Sequence, residues 1–129
     1  MKLNEILTEV CIPIPAQPAA CAYLKLERKL GDFATVGVAV QLNVKDGLVS
    51  DAGIGLTAVA PTPLRAARAE ALLRGKRAVE AVIEEAASVA ARDSKPTSDI
   101  RGSAEYKRAM VLEFTKRAIT LALHRATKE

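Results

Sequence analysis

The chain has 129 residues, half of them hydrophobic, which is enough for one domain with its own core. Aromatic residues make up only 3% and the net charge is +4, so we expect an aliphatic core and a mildly basic surface. No apolar run approaches the length of about 18 residues that marks a membrane span, and the N-terminus lacks a secretory signal pattern, so we expect a cytoplasmic protein without a membrane segment.

The first predicted element is a strand near the N-terminus. Its apolar residues, Ile6, Val10, Ile12 and Ile14, fall on even positions, and the proline-rich run at 13–18 ends it.

Two cysteines, Cys11 and Cys21, flank the proline-rich run. A disulfide and a pair of free, partly buried thiols are both open, and a cytoplasmic chain favours the thiols. One histidine, His124, and no Cys-x-x-Cys pair leave too few ligands for a zinc or iron–sulfur site, so no metal is expected.

The second predicted strand lies in the run "AYLKLERKLGDFA" at 22–34, whose first eight residues alternate. Its apolar side carries Ala22, Leu24 and Leu26. The opposite side carries Tyr23, Lys25, Glu27 and Lys29. An aromatic ring beside an ammonium group suits either a solvated sheet face or a docking surface.

A β-hairpin is predicted next. Valine and leucine occupy the even positions from Val36 to Val44, and the return strand repeats this at Ala52, Ile54, Leu56 and Ala58. Asp46-Gly47 is a strong turn signal, because both residues tolerate positive φ. The odd-numbered face is rich in glycine, at 37, 53 and 55, and a glycine in a strand often marks close approach of a ligand or another backbone.

Three helices follow. Thr62 is predicted to cap the first, with Pro63 in its first turn and Gly75 just past its end; the second covers "RAVEAVIEEAASVAAR", and Ser103 caps the third. The third helix has two apolar stripes, which indicates two packing partners. The expected fold is therefore α+β: a two-layer sandwich of an antiparallel three- to four-stranded sheet with three helices on one face.

Catalytic patterns are nearly lacking. His124 is expected to be an ordinary surface residue, and Glu84 and Glu85 diverge on a helix, so neither indicates acid–base chemistry. The "GIG" at 53–55 is not followed by a helix start and is no dinucleotide fingerprint. Basic residues cluster around the first and last helices, but acidic residues are interspersed and aromatics are few, so solvated faces are expected rather than nucleic-acid binding.

Four stretches nevertheless resemble one family over nearly the whole chain. They are "EILTEVCIPIP", "AYLKLERKLGDFATVGVAV", "IGLTAVAPTPLRA" and "DIRGSAEYKRAMVLEFTKRAI". They are similar to the C-terminal domain of the FAD-binding (medium) subunit of molybdenum hydroxylases, of the carbon monoxide dehydrogenase flavoprotein type.

The resemblance implies a function and partners. In that family a molybdopterin subunit oxidises the substrate, an iron–sulfur subunit relays electrons, and the medium subunit holds the FAD that accepts them. It implies that this domain helps to cover the isoalloxazine end of FAD. Tyr23 and Lys25 would lie at the flavin ring, and Asp32 in the "GDFA" loop would lie close to it.

The family's N-terminal FAD-binding domain has no counterpart here, because the chain holds no glycine-rich pyrophosphate loop. Residues 1–129 are expected to form a single domain with a partial FAD site at most, not catalytic alone. The alternative is a non-catalytic docking or self-assembly module without flavin, and surface that normally meets the other domain would favour a homodimer.

Overall fold

The structure, a computed structural model, describes residues 3–12 and 19–127. Its elements are β1 (Ala20–Leu26), β2 (Val36–Lys45), β3 (Leu48–Thr57), β4 (Leu64–Arg65), α1 (Ala67–Leu73), α2 (Glu80–Asp93) and α3 (Ala104–Ala126). The strands form one antiparallel sheet in the order β1-β2-β3-β4. Helices α1 and α3 pack on the sheet, and α2 packs against both. The α+β two-layer prediction is confirmed.

The hairpin of β2 and β3 is the centre of the sheet, and it follows the predicted alternation. Val38, Val40 and Leu56 are among its even-numbered residues, and all are buried in the core beneath the helices. Asp46 and Gly47 have φ of 53° and 75°, the positive values that a tight two-residue hairpin turn requires. Period-two burial and turn chemistry therefore suffice to specify this unit.

The alternation departs from the prediction at both ends of β3. A register shift between Asn43 and Val44 pairs Val44 with Val49, which is buried at an odd position. Ala58 lies beyond the strand with φ of 64°, and it is exposed. Val59 enters the core in its place.

The predicted start of the first helix at Thr62 and Pro63 is wrong. The chain first adds β4 to the sheet, and α1 then begins after Ala66 without a side-chain cap. The Ala66 N–H donates to the Ile54 carbonyl at 2.9 Å, so sheet pairing continues to the helix start. A long-range backbone bond thus overrides the local capping signal.

Two other helix signals are confirmed. Gly75 follows α1 with φ of 75°, and its N–H donates to the Val49 carbonyl at 2.8 Å. The Ser103 hydroxyl oxygen accepts from the Tyr106 N–H at 3.1 Å at the start of α3. Both residues satisfy backbone groups that would otherwise lack a partner.

Side chains from α1 and from Arg74 just after it close the edge of β3 that the short β4 leaves open. The buried Glu70 carboxylate accepts from the Ile54 N–H at 3.0 Å, and Arg74 donates to the Ala52 carbonyl at 2.7 Å. Arg65 and Arg74 also bond Glu70, at 2.8 and 3.1 Å. Closing an edge in this way prevents further strand pairing.

The predicted N-terminal strand is wrong within the described residues. Residues 3–12 form no strand, and Ile6, Val10 and Ile12 are exposed. Alternation indicates that a segment suits a sheet, but it does not supply a partner strand. Ile14 and the rest of the proline-rich run lie outside the described residues. Cys11 and Cys21 are free thiols, and both are exposed rather than partly buried.

Both apolar stripes of α3 are used inside this chain. The helix packs against β1 and β2 on one side and against α2 on another, with Val111, Ala118 and Ile119 fully buried. The two predicted packing partners exist, and neither requires a second protein.

We expect Glu70→Ala to lower the free energy of unfolding by about 2–3 kcal/mol, because the buried Ile54 N–H loses its acceptor. Glu70→Gln keeps an acceptor oxygen and should cost about 1–2 kcal/mol. The matched control is Glu113→Gln, which breaks an exposed pair with Arg117 and should cost about 0.5 kcal/mol or less. Denaturant unfolding measures all three.

The pH dependence follows from the same site. Burial raises the pKa of Glu70, but bonds from Arg65 and the Ile54 N–H outweigh burial and hold the pKa below its ordinary value of 4.5. Ionised Glu70 therefore stabilises the fold fully above about pH 4.5, and this contribution is lost as the pH falls through the lower folded pKa. Glu70→Gln should flatten this part of the acid limb; an unchanged limb would contradict the assignment.

Candidate functional site

The face of the sheet that is turned away from the helices carries the predicted polar and glycine residues, and we call it the outer face. Cross-strand pairing arranges it in rows. One row joins Lys25, Gly37 and Thr57; the next joins Tyr23, Ala39 and Gly55; the third joins Cys21, Gln41 and Gly53. Tyr23 and Lys25 are thus brought together on this face, as the alternation predicts.

The Tyr23 ring lies across the sheet over Gly37. A Cβ added at Gly37 would lie 3.0 Å from the Tyr23 hydroxyl and 2.5 Å from the Thr57 methyl group, so no side chain fits there. The absence of a side chain at Gly37 lets the ring approach the backbone, while 56% of Tyr23 stays exposed. A ring held in this way can stack against a second flat group.

Gly55 and Gly53 have no such explanation inside the chain. Both lie in extended strand, and a Cβ at Gly55 would meet no atom within 4 Å. A Cβ at Gly53 would make only ordinary contact with Gln41, at 3.9 Å. Glycine weakens a strand by about 0.5–1 kcal/mol relative to alanine, and the open space over these two glycines leaves the backbone accessible from outside.

These glycines form the floor of a shallow groove of about 620 Å³ beside Tyr23. Arg65 borders it, because β4 pairs Arg65 with Gly55. Glu70 fixes the guanidinium group through Nε and Nη2, at 2.9 and 2.8 Å. Within the described residues Nη1 has no hydrogen-bond partner, which leaves one donor group of Arg65 free at the groove.

The Lys25 ammonium group is not isolated. It pairs at 2.6 Å with the carboxylate of Glu27, the residue just after β1, and both side chains are partly buried. The cation is thus held near the outer face, and its charge is offset by one carboxylate.

Asp32 lies in the loop between β1 and β2 rather than on a strand of the outer face. Its carboxylate accepts from the Phe33 N–H at 2.8 Å and from Arg28 at 3.1 Å, and it pairs with Arg101 at 3.6 Å. The Phe33 N–H, the Arg28 guanidinium and Arg101 hold the pKa of Asp32 below its ordinary value. No contact among the described residues joins Asp32 to Tyr23 or Lys25.

Arg101 connects this loop to the one before α3. Its guanidinium carbon lies 5.8 Å from the centre of the Phe33 ring, within cation–π range. Asp99 orders the second loop by accepting from the Arg101 N–H at 2.8 Å and pairing with Lys107 at 2.7 Å. Two stretches that carry the resemblance, "GDFA" and "DIRGS", therefore meet in space.

The sequence interpretation missed Arg65 and Arg101. Arg65 is one of the basic residues around the first helix, and the structure pairs several of these arginines with carboxylates: Arg65 with Glu70, Arg68 with Asp93, and Arg74 with Asp51. The sequence spacing of Arg65 and Glu70 is the signal that could have indicated their ion pair. The spacing is ambiguous, because it brings the two side chains together only if a strand at Arg65 precedes the helix that carries Glu70.

No group of three His, Cys, Asp or Glu residues that could hold a metal ion occurs in residues 3–12 and 19–127. Over the same ranges, no helix is long and apolar enough to cross a bilayer.

Comparison with known proteins places this geometry in a family. Residues 21–122 match the family described as CO dehydrogenase flavoprotein C-terminal domain. This range includes all four strands apart from Ala20, the first residue of β1. The chain belongs to this family. The resemblance drawn from the four sequence stretches is confirmed.

Two of the relatives that match are a medium chain and a medium subunit of named enzymes. The chain is 41% identical over 119 residues to the carbon monoxide dehydrogenase medium chain of Hydrogenophaga pseudoflava, covering 92% of this chain and 42% of that one. It is 34% identical over 119 residues to the nicotine 6-hydroxylase medium subunit of Paenarthrobacter nicotinovorans, covering 92% and 41%. The flavoprotein-family chain thus spans about two fifths of the length of these relatives.

Solved structures share its fold. Carbon monoxide dehydrogenase from H. pseudoflava, in a form that lacks the Mo-pyranopterin moiety, superposes with a TM-score of 0.85 at 45% identity, over 88% of this chain and 40% of that one. Quinoline 2-oxidoreductase from Pseudomonas putida 86 gives 0.80 at 32% identity, over 89% and 40%. The α+β architecture is therefore that of the flavoprotein family.

We expect the outer-face glycines of this flavoprotein-family domain to respond oppositely to substitution. Gly55→Ala should leave stability unchanged or raise it by about 0.5–1 kcal/mol, because the new methyl group meets open space. Gly37→Ala should destabilise by about 1–3 kcal/mol, because its methyl group collides with Thr57 and Tyr23. Thermal unfolding of both variants measures this; a loss of stability in Gly55→Ala would mean that the groove is filled by the chain itself.

Proposed function

We propose that the chain is the C-terminal domain of the flavoprotein subunit of a molybdenum-hydroxylase-type oxidoreductase of the cytoplasm. In this role it helps to cover FAD, which accepts electrons from the iron–sulfur subunit. The observation that carries the proposal is the open, glycine-floored groove beside the exposed Tyr23 ring, in a chain of a flavoprotein family.

The groove suits a flat, weakly polar ring. Gly53 and Gly55 allow close approach to the backbone, and Tyr23 offers an aromatic face at the rim. The Lys25 ammonium, held by Glu27, would favour negative charge on a reduced flavin. Arg65 would direct its free Nη1 toward a carbonyl oxygen of the ring, since Glu70 fixes its other nitrogens.

Asp32 is also proposed to lie close to the flavin ring. The proposal is supported by the contacts that hold the Asp32 loop in place. Its bonds to Phe33, Arg28 and Arg101 order the loop that follows Lys25 and β1. The chain's own acids and bases would form no covalent bond; FAD, when bound, supplies the redox chemistry.

The proposed partners are the FAD-binding domain of the subunit, the iron–sulfur subunit and the molybdopterin subunit. The relatives' names support a multi-subunit setting, since they are medium chains or subunits of a complex. A relative from Escherichia coli, 27% identical over 112 residues, is a putative xanthine dehydrogenase FAD-binding subunit. A homodimer through surface left uncovered is a further proposal.

A titration of the purified chain with FAD, followed by flavin fluorescence, tests the flavin contact. We expect saturable quenching that Tyr23→Ala weakens roughly two- to tenfold, the range that stacking of aromatic groups supplies. Lys25→Ala should weaken FAD binding more at low salt than at high salt, because the contribution of the ammonium group is electrostatic. Gly55→Val should block binding while leaving the fold intact, because its side chain fills the groove.

Tyr106→Ala and Lys116→Ala are the controls, since they remove an aromatic ring and a carboxylate-paired ammonium group from α3, on the helical side of the sheet. If the chain alone shows no quenching, the titration is repeated with a separately expressed FAD-binding domain of the H. pseudoflava medium chain. Flavin changes that remain identical for wild type, Tyr23→Ala and Gly55→Val would overturn the flavin role and favour a docking module without flavin.

A further inference from the structure

The N-terminal segment, residues 3–12, exposes an unusual set of side chains. Five large apolar residues in it are between 65% and 110% exposed: Leu3, Ile6, Leu7, Val10 and Ile12. A run of apolar surface this dense normally marks a contact site. Ile6, Val10 and Ile12 would share one face of an extended strand.

This segment is shared with relatives but lies outside the domain. The family match begins at residue 21 and the sheet begins at Ala20. By contrast, the match to the carbon monoxide dehydrogenase medium chain of Afipia carboxidovorans covers 95% of the chain. Only 109 of the 129 residues follow residue 20, so this similarity extends well into the N-terminal twenty.

Residues 3–12 pair with neither edge of the sheet of this chain. At one edge β4, Glu70, Arg74 and Gly75 occupy partner groups of β3. At the other edge the Arg125 guanidinium donates to the Cys21 carbonyl of β1. The apolar side chains of the segment therefore stay uncovered within this chain.

We propose that residues 6–12 pair as a strand with the edge of a β-sheet in the part of a flavoprotein medium chain that lies outside the match. Ile6, Val10 and Ile12 would cover an apolar surface of that sheet, and backbone hydrogen bonds would supply the register. Well over half of the H. pseudoflava relative lies outside the match, which leaves room for such a sheet. The inference rests on family membership and not on flavin contact.

Hydrogen exchange tests it in two proteins. One is the isolated chain; the other is a full-length chimera in which this chain replaces the matching part of the H. pseudoflava medium chain. Amides 6–12 should exchange freely in the isolated chain and at least about tenfold more slowly in the chimera. A chain beginning at residue 19 should unfold at the same temperature as the isolated full chain.

Matched substitutions sharpen the result. Val10→Asp should abolish the protection in the chimera, whereas Cys11→Asp, with the same charge on the opposite side of the strand, should leave it. Three results would overturn the inference: a lower unfolding temperature for the chain beginning at residue 19, protection of amides 6–12 already in the isolated chain, or no protection of these amides in the chimera. If protection in the isolated chain depends on concentration, the segment pairs with a second copy. Loss of FAD from a chimera that keeps its protection would count against the proposed function alone.

Discussion

One buried carboxylate organises the side of the molecule on which the candidate site depends. Glu70 accepts from the Ile54 N–H of β3 and from the guanidinium groups of Arg65 and Arg74, so strand, helix and groove border meet at a single side chain. Because Glu70 is fully buried, it requires these donors to remain ionised. The direction of Arg65 at the groove is therefore set from inside the domain rather than by a ligand.

The outer face combines two kinds of glycine. Gly37 is required by the chain itself, since Tyr23 and Thr57 occupy the space that a side chain would need. Gly55 lies over open space, so nothing inside the chain requires the absence of a side chain there. Gly37 allows the ring to lie close to the backbone, and Gly55 leaves open space beside the ring. The two glycines thus differ in whether the fold itself needs them.

Local patterns predicted the parts of the fold that local forces decide. The β2–β3 hairpin follows from strict alternation and the Asp46-Gly47 turn, and the start of α3 follows from Ser103. Strand β4 could not be predicted, because it is two residues long and forms through pairing with β3. The N-terminal strand failed for a related reason, since alternation describes a segment and says nothing of its partner.

In the candidate site, too, the sequence predicted what local patterns decide and not what long-range contacts decide. Tyr23 and Lys25 were placed correctly on one face, because period two is a property of the strand itself. The contacts of Asp32 were beyond prediction, because Arg101 is distant in sequence and reaches it only after α2 and its following loop have folded back. The roles of Tyr23, Lys25 and Asp32 at a flavin remain proposals that rest on family membership.

The link between Asp32, Phe33 and Arg101 also has a mechanical consequence. It joins the end of β1, in the sheet layer, to the start of α3, in the helix layer. Asp99 and Lys107 brace the loop before α3 in turn. The two layers are therefore cross-linked by side chains at this end of the domain, so neither loop can shift without breaking an ion pair or a ring contact.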